Sequence, residues 1–343
     1  MSVIPEDKHG TVTDHGGSLG QARGLFPDAP PPWIDLSTGI NPHSYPHPPV
    51  SATALSRLPE PADAARLGEI AAEAYGAPSA AHVAAAPGTQ ILLPLVTGLV
   101  PPGRAAVLSP TYAEHARAAV LAGHRVNETA DFGDLAAADL AIAVNPNNPD
   151  GRVTPRADLV MLARALGRRG GLLVVDEAFM EVGPAAESLA GDVEGLPVVV
   201  LRSFGKFFGL AGVRLGFALA SEAVAARLSA RLGPWAVSGP ALEIGIAALS
   251  DRKWQAAMRT RLEEESQRLD DLIRKAGLTP CGGTALFRLA RHARAAELFA
   301  ALGARGILVR RFERDAALLR FGLPGDAAAW TRLGRALDLW SGG

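Results

Sequence analysis

The chain has 343 residues, 48% hydrophobic and 20% charged, which suits a globular enzyme with a large core and, by length, two domains. Its 34 basic and 35 acidic residues nearly cancel, which excludes a general nucleic-acid or polybasic membrane role and confines any anion site to a local cluster. The single cysteine, Cys281, excludes an intrachain disulfide and a cysteine-cluster metal site. The start, MSVIPEDKHG, has no basic-then-apolar leader, and no apolar run approaches ~18 unbroken residues, so a cytoplasmic chain without a membrane span is expected.

Residues 1–50 are rich in Gly, Pro, His and Asp and read as an extended arm with turns rather than a core element. His43 and His47 stand four apart, a metal spacing on a helix, but the prolines around them argue against a helix there, and no metal is expected. From Ala62 to Tyr75 the apolar spacing is helical, and Gly76 ends it. Gly88 and Thr89 then precede a second helical run, with Thr89 read as its N-cap. Free N–H groups at that helix start make either a phosphate site or an ordinary capped helix.

Four short apolar strands follow: Ala105–Leu108, Leu140–Val144, Leu172–Val175 and Val198–Leu201. Helical patterns at Ala113–Gly123 and Pro155–Arg168 lie between them. Such alternation predicts an α/β fold with a mostly parallel sheet covered by helices, and ligands in such sheets gather beyond the carboxyl ends of the strands. The four ends carry SPTYAEH with Tyr112, NPNNPDG with Asn148, DEAF with Asp176, and a segment with Lys206. Taken one at a time, an Asn-Pro turn is usually just a turn and a strand-end Asp a helix cap. Together they bring an aromatic ring, an amide, a carboxylate and an amine to one rim.

The Lys206 segment, LRSFGKFFGLAGVRLGF, sets one lysine among Ser203, glycines and aromatics, with Arg214 eight residues on. A lysine between aromatics is commonly a snorkelling surface residue. A lysine that must lose its proton and attack a carbonyl needs a partly desolvated pocket, and Ser203 with Arg214 offers a phosphate cradle beside it, the pairing that pyridoxal phosphate requires. Ser203 and Lys206 also fit the S-x-x-K spacing of serine acyl-enzymes, but the S-D-N and K-T-G strings of that class are absent.

Beyond residue 240 the pattern changes. Trp254–Lys275 reads as a long charged amphipathic helix, followed by strands at Thr284–Leu289 and Gly306–Val309 around a helix at Ala293–Leu302. An arginine cluster (Arg310, Arg311, Arg314, Arg320) precedes a last helix near 327–340. The expected organisation is an arm (1–50) joining a smaller domain and the active site, a large domain (51–240) and a small α/β domain (241–343) that the arm completes.

NPNNPDG, DEAF and SFGKFFGLAGVRLGF, in this order, resemble fold-type I pyridoxal-phosphate enzymes of the aminotransferase superfamily. The branch most similar holds histidinol-phosphate aminotransferases and the threonine-phosphate decarboxylases of cobalamin biosynthesis, and the opening DHGG…IDLSTGINP resembles the decarboxylases more. The resemblance implies that Lys206 joins the cofactor aldehyde and moves protons. It implies that Asp176 pairs with the pyridinium nitrogen, Asn148 with the ring hydroxyl, Tyr112 with the ring face, and Gly88, Thr89, Ser203 and Arg214 with the cofactor phosphate. It places Arg320 at the substrate carboxylate, Arg310 and His15 near the substrate phosphate, and Asn41 in the arm segment bordering the substrate. Two positions depart from aminotransferase relatives: Phe179 stands where a Tyr often follows D-E-A, and Leu58 in RLPEP stands where a Tyr reaches the neighbouring subunit's cofactor phosphate. The expected reaction is decarboxylation of L-threonine O-3-phosphate to (R)-1-amino-2-propanol O-2-phosphate by a homodimer. The alternatives are a histidinol-phosphate-type aminotransferase and a non-catalytic binding module.

Overall fold

Twelve strands form two sheets among the described residues, 16–341, of the computed structural model. They are β1 (Ile34–Leu36), β2 (Val83–Ala86), β3 (Arg104–Leu108), β4 (Arg125–Thr129), β5 (Leu140–Val144), β6 (Leu172–Asp176), β7 (Val198–Ser203), β8 (Gly216–Leu219), β9 (Thr279–Thr284), β10 (Phe287–Arg291), β11 (Ile307–Arg311) and β12 (Leu318–Gly322). Two compact units hold one sheet each. The first comprises Tyr45–Asn148 and Val153–Gln255; the second comprises the described arm up to Ser44, Pro149–Arg152 and the chain from Ala256 onward.

The first unit carries a seven-stranded sheet in the order β2-β8-β7-β6-β5-β3-β4. Every pairing is parallel except those of β8, which runs against β2 and β7. Every residue of β5 (LAIAV), β6 (LLVVD) and β7 (VVVLRS) is buried, as expected where a parallel strand is covered on both faces. On one face Ile142, Val174 and Val199 share a core cluster with Leu92, Leu93 and Val96 of the Thr89–Thr97 helix. The Pro61–Tyr75 helix has Pro at its first position and Gly76 past its end at φ 78°, the left-handed stop that glycine adopts without strain.

The first unit extends to Gln255, where the sequence placed a boundary at 240. The Gly239–Ser250 helix packs within it: a Cβ at Gly245 would lie 2.6 Å from Leu215 and 3.1 Å from Leu67.

The second unit carries a five-stranded sheet, β1-β11-β12-β10-β9. The arm is more than a surface strap, because β1 pairs in parallel with β11 and Leu36 is fully buried. The strand expected at Thr284–Leu289 is instead a hairpin, β9 and β10, turning at Ala285 and Leu286. Both turn residues are buried, so an apolar turn reads as continuous strand in the sequence. No helix among the described residues is long and apolar enough to cross a membrane.

Candidate active site

One rim of the seven-stranded sheet collects the predicted groups of the first unit. The parallel strands β3, β5, β6 and β7 all end there, delivering in turn Tyr112, Asn148, Asp176 and the Lys206 turn. Because β8 is antiparallel, its beginning lies at the same rim, and Arg214 stands two residues before it. Gly216 at the start of β8 pairs with Ala86 of β2 on one side and Ser203 of β7 on the other. That register brings Gly88, Thr89, Ser203 and Arg214 together.

Gly88, not Thr89, is the N-cap of the Thr89–Thr97 helix, at φ 88°. Thr89 is the first helical residue, so the unsatisfied N–H groups of the first turn begin there. A Cβ at Gly88 would stand 2.7 Å from Arg214 Nη2, so the guanidinium occupies the space that a side chain at this cap would need. A Cβ at Gly216 would meet the Thr89 nitrogen at 2.6 Å. Arg214 itself is left-handed, φ 56°, and donates from Nη1 to Ala211 O at 3.1 Å. A non-glycine residue in that region is strained, and here the strain turns the arginine toward the helix start.

Asp176 is 6% exposed. Its Oδ2 lies 2.9 Å from His115 Nε2 and its Oδ1 accepts from the Ala178 N–H at 3.0 Å. His115, 1% exposed, was not singled out in the sequence. Its signal was present: it lies three residues after Tyr112 at a helix start, the spacing that stacks two side chains on one face, and the two rings meet edge to face at 5.9 Å. Tyr112 also donates to Gln90 Oε1 at 3.1 Å, and Gln90 donates to the buried Glu114 at 2.7 Å, so its ring is held from the hydroxyl end as well.

Asn148 follows a turn pinned by its neighbours. The Asn145 amide bridges Thr154, donating to its carbonyl at 3.1 Å and accepting from its N–H at 2.9 Å. Asn147 donates to Pro110 O at 2.9 Å and accepts from the Thr111 hydroxyl at 2.6 Å. These bonds fasten the β5 end to the β3 end and leave Asn148 half-buried at the rim.

Lys206 sits in a one-turn helix, Phe204–Phe207, opened by the buried Ser203. Its Nζ lies 6.0 Å from the centroid of the Phe179 ring. Behind it, Phe204 stacks on Phe208 at 4.6 Å and Phe208 on Trp254 at 5.8 Å, while Tyr45 meets Trp254 edge-on at 5.1 Å. The Tyr45 N–H donates to Phe208 O at 2.9 Å. Phe204, Phe208, Trp254 and Tyr45 thus form an aromatic floor under the lysine's turn.

The remaining predicted residues belong to the second unit or lie outside the description. Arg310 and Arg320 sit opposite each other on β11 and β12. Arg320 is 7% exposed, donates to Ser37 O at 2.8 Å, and places its guanidinium 5.0 Å from the Phe287 ring centroid. Asn41, buried, accepts from the His43 N–H at 2.9 Å. His43 bonds Glu265 at 2.8 Å and His47 bonds Pro48 O, and no group of three or more metal-ligating side chains occurs among the described residues. His15 lies outside the described residues.

The donor set of the first unit fits pyridoxal phosphate. A half-buried amine, a buried carboxylate, an aromatic ring and an arginine-lined helix start match its aldehyde, ring nitrogen, ring face and phosphate. The Thr89–Thr97 helix start beside Arg214 has no side-chain cap, which suits a phosphate there.

Comparison with known proteins agrees. The chain is 45% identical over 95% of its length to threonine-phosphate decarboxylase of Pseudomonas aeruginosa, covering 97% of that protein. It is 43% identical over 94% of its length to threonine-phosphate decarboxylase of a Sinorhizobium species, again covering 97%. In structure it is similar to histidinol-phosphate aminotransferase of Sinorhizobium meliloti in complex with pyridoxal-5'-phosphate, with TM-score 0.78, 21% identity and 94% of each chain covered. The family model for aminotransferase class I and II matches residues 34–335, nearly the whole chain, and with the rim described above this places the protein in the aminotransferase class I and II family.

Proposed function

We propose that the protein is a pyridoxal-phosphate-dependent decarboxylase of L-threonine O-3-phosphate, releasing carbon dioxide and (R)-1-amino-2-propanol O-2-phosphate. The observation that carries this reading is the 45% identity to a threonine-phosphate decarboxylase over 95% of the chain. Phe179 beside Lys206 agrees with it, because the position lacks the tyrosine hydroxyl of aminotransferase relatives.

When bound, the cofactor supplies an electron sink that stabilises the carbanion left at the substrate's Cα. The chain's residues do the rest. Lys206 would provide the amine that holds the cofactor and a proton donor for Cα. Asp176 keeps a proton on the ring nitrogen, and its own charge is held by His115 and the Ala178 N–H. Asn148 donates to the ring hydroxyl and Tyr112 covers the ring. Gly88, Thr89, Ser203 and Arg214 hold the cofactor phosphate. Arg320 takes the substrate carboxylate, where a planar fork fits two oxygens. Arg310 and His15 face the substrate phosphate and Asn41 borders it. The arm and the arginines would select carboxylate loss by fixing the substrate's pose.

The protein works as a cytoplasmic homodimer in cobalamin biosynthesis. With Leu58 at the position of the tyrosine in aminotransferase relatives, the cofactor phosphate is held without that phenol from the neighbouring subunit. The runner-up reaction is transamination of histidinol phosphate, since one enzyme of that name, from Cronobacter sakazakii, is 33% identical over 65% of the chain. Two parallel assays on purified enzyme separate the readings: carbon dioxide from threonine phosphate, and glutamate from 2-oxoglutarate with histidinol phosphate. The proposal predicts the first product. Glutamate formation without carbon dioxide would reverse it.

A further inference from the structure

The end of β6 and the end of β7 are joined a second time, on the face of the sheet away from Asp176. Side chains alternate along a strand, so Glu177 and Arg202 point opposite to Asp176 and Ser203. Glu177 is fully buried and Arg202 is 5% exposed. Arg202 Nη2 lies 3.0 Å from Glu177 Oε2. Glu177 also accepts from the Leu189 N–H at 2.8 Å and the Ser188 hydroxyl at 2.6 Å, and Arg202 donates to that same hydroxyl at 3.1 Å. The buried Glu181 carboxylate is 4.0 Å from Arg202 Nη1, and the guanidinium stands 5.0 Å from the Tyr75 ring centroid. Nothing in the proposed chemistry uses these groups.

We infer that Arg202 and Glu177 are positioning residues that fix the separation of Asp176 and the Lys206 turn from the hidden face of the sheet. A buried ion pair adds little net stability over an apolar pair of the same shape; desolvation holds the Glu177 carboxyl above its usual range. What such a pair adds is a single geometry, since charges and hydrogen bonds have one best arrangement where apolar side chains slide. The pair sits where that geometry counts. Glu177 is one residue from Asp176, and its N–H donates to Leu201 O at 2.9 Å. Arg202 is one residue from Ser203 and four from Lys206. The inference rests on Lys206 and Asp176 holding the cofactor.

The test is the triple variant Glu177→Gln/Glu181→Gln/Arg202→Met, which removes all three charges together and leaves none buried alone, with Arg202→Lys as a second variant that keeps the charge but loses the fork. The wild-type absorbance of the lysine-bound cofactor, recorded first, reports on the cofactor reading itself; the variant-to-wild-type difference reports on the clamp. The triple variant is expected to melt near the wild-type temperature. The pH midpoint of its cofactor absorbance should nonetheless shift by about half a unit or more, and kcat should fall about tenfold at little-changed KM. Arg202→Lys should show a smaller shift in the same direction. A wild-type absorbance titration and kcat in either variant, once folded, would overturn the inference and leave the cluster a structural feature.

Discussion

His115 Nε2 lies 2.9 Å from Asp176 Oδ2, and both side chains are almost wholly buried. The pairing gives the carboxylate a side-chain partner beside the Ala178 N–H. Removing one hydrogen bond to a buried charge typically costs ~1.5–3 kcal/mol. His115→Phe keeps an aromatic ring against Tyr112 but removes the hydrogen bond to Asp176, so the expected loss falls on Asp176. We expect kcat to drop about tenfold to a hundredfold, with a lowered melting temperature because the buried Asp176 loses its side-chain partner. Steady-state kinetics with threonine phosphate checks this.

At Gly88 the expected effect is on cofactor binding. The residue holds φ 88° and a Cβ there would stand 2.7 Å from Arg214 Nη2. Gly88→Ala therefore displaces the arginine as well as straining the backbone by ~1–3 kcal/mol. Cofactor titration of the apoprotein should show a dissociation constant raised by at least about tenfold. Gly233→Ala, also at positive φ but with nothing within 4 Å of its Cβ, should weaken the fold without that loss of affinity.

Acid sensitivity should trace in part to Ser51. Its hydroxyl donates to Glu243 Oε1 at 2.5 Å and its N–H donates to Oε2 at 2.9 Å, and these bonds hold the Glu243 carboxyl below its usual range, the hydroxyl's the larger. A carboxyl depressed in the fold contributes stability above its unfolded pKa, and that stability is lost as pH falls through the folded value. The Ser51 hydroxyl also caps the Ala52–Ser56 helix by accepting from the Ala54 N–H at 3.0 Å, a contribution of ~1 kcal/mol that does not titrate. Ser51→Ala should thus lower the melting temperature at neutral pH, with a gap that narrows in acid without closing. Thermal melts across the carboxylate range measure it.

What the sequence made legible was the rim. Apolar runs at 140–144, 172–175 and 198–201 mark buried parallel strands, and within a few residues of each end stand Asn148, Asp176 and Lys206. The short strands were less visible. β2 is VAAA, whose alanines carry little strand preference, and β8 begins at a glycine. The antiparallel turn of β8 is what sets Arg214 beside Gly88, and no local pattern encodes it. His115 and the Glu177–Arg202 pair were hidden for a related reason: each bonds a residue on another element, and a polar side chain reads as solvent-facing until that partner is found. Thr89 as cap was a reasonable expectation from residue type, but the positive φ at the cap selects glycine.

Borohydride reduction of the cofactor-loaded protein, followed by peptide mapping, tests the central claim most directly. The reduced cofactor should be found on the peptide containing Lys206 and nowhere else, and the label should vanish in Lys206→Ala. Stable labelling of a different lysine, or no labelling of wild-type protein saturated with pyridoxal phosphate, would contradict the account.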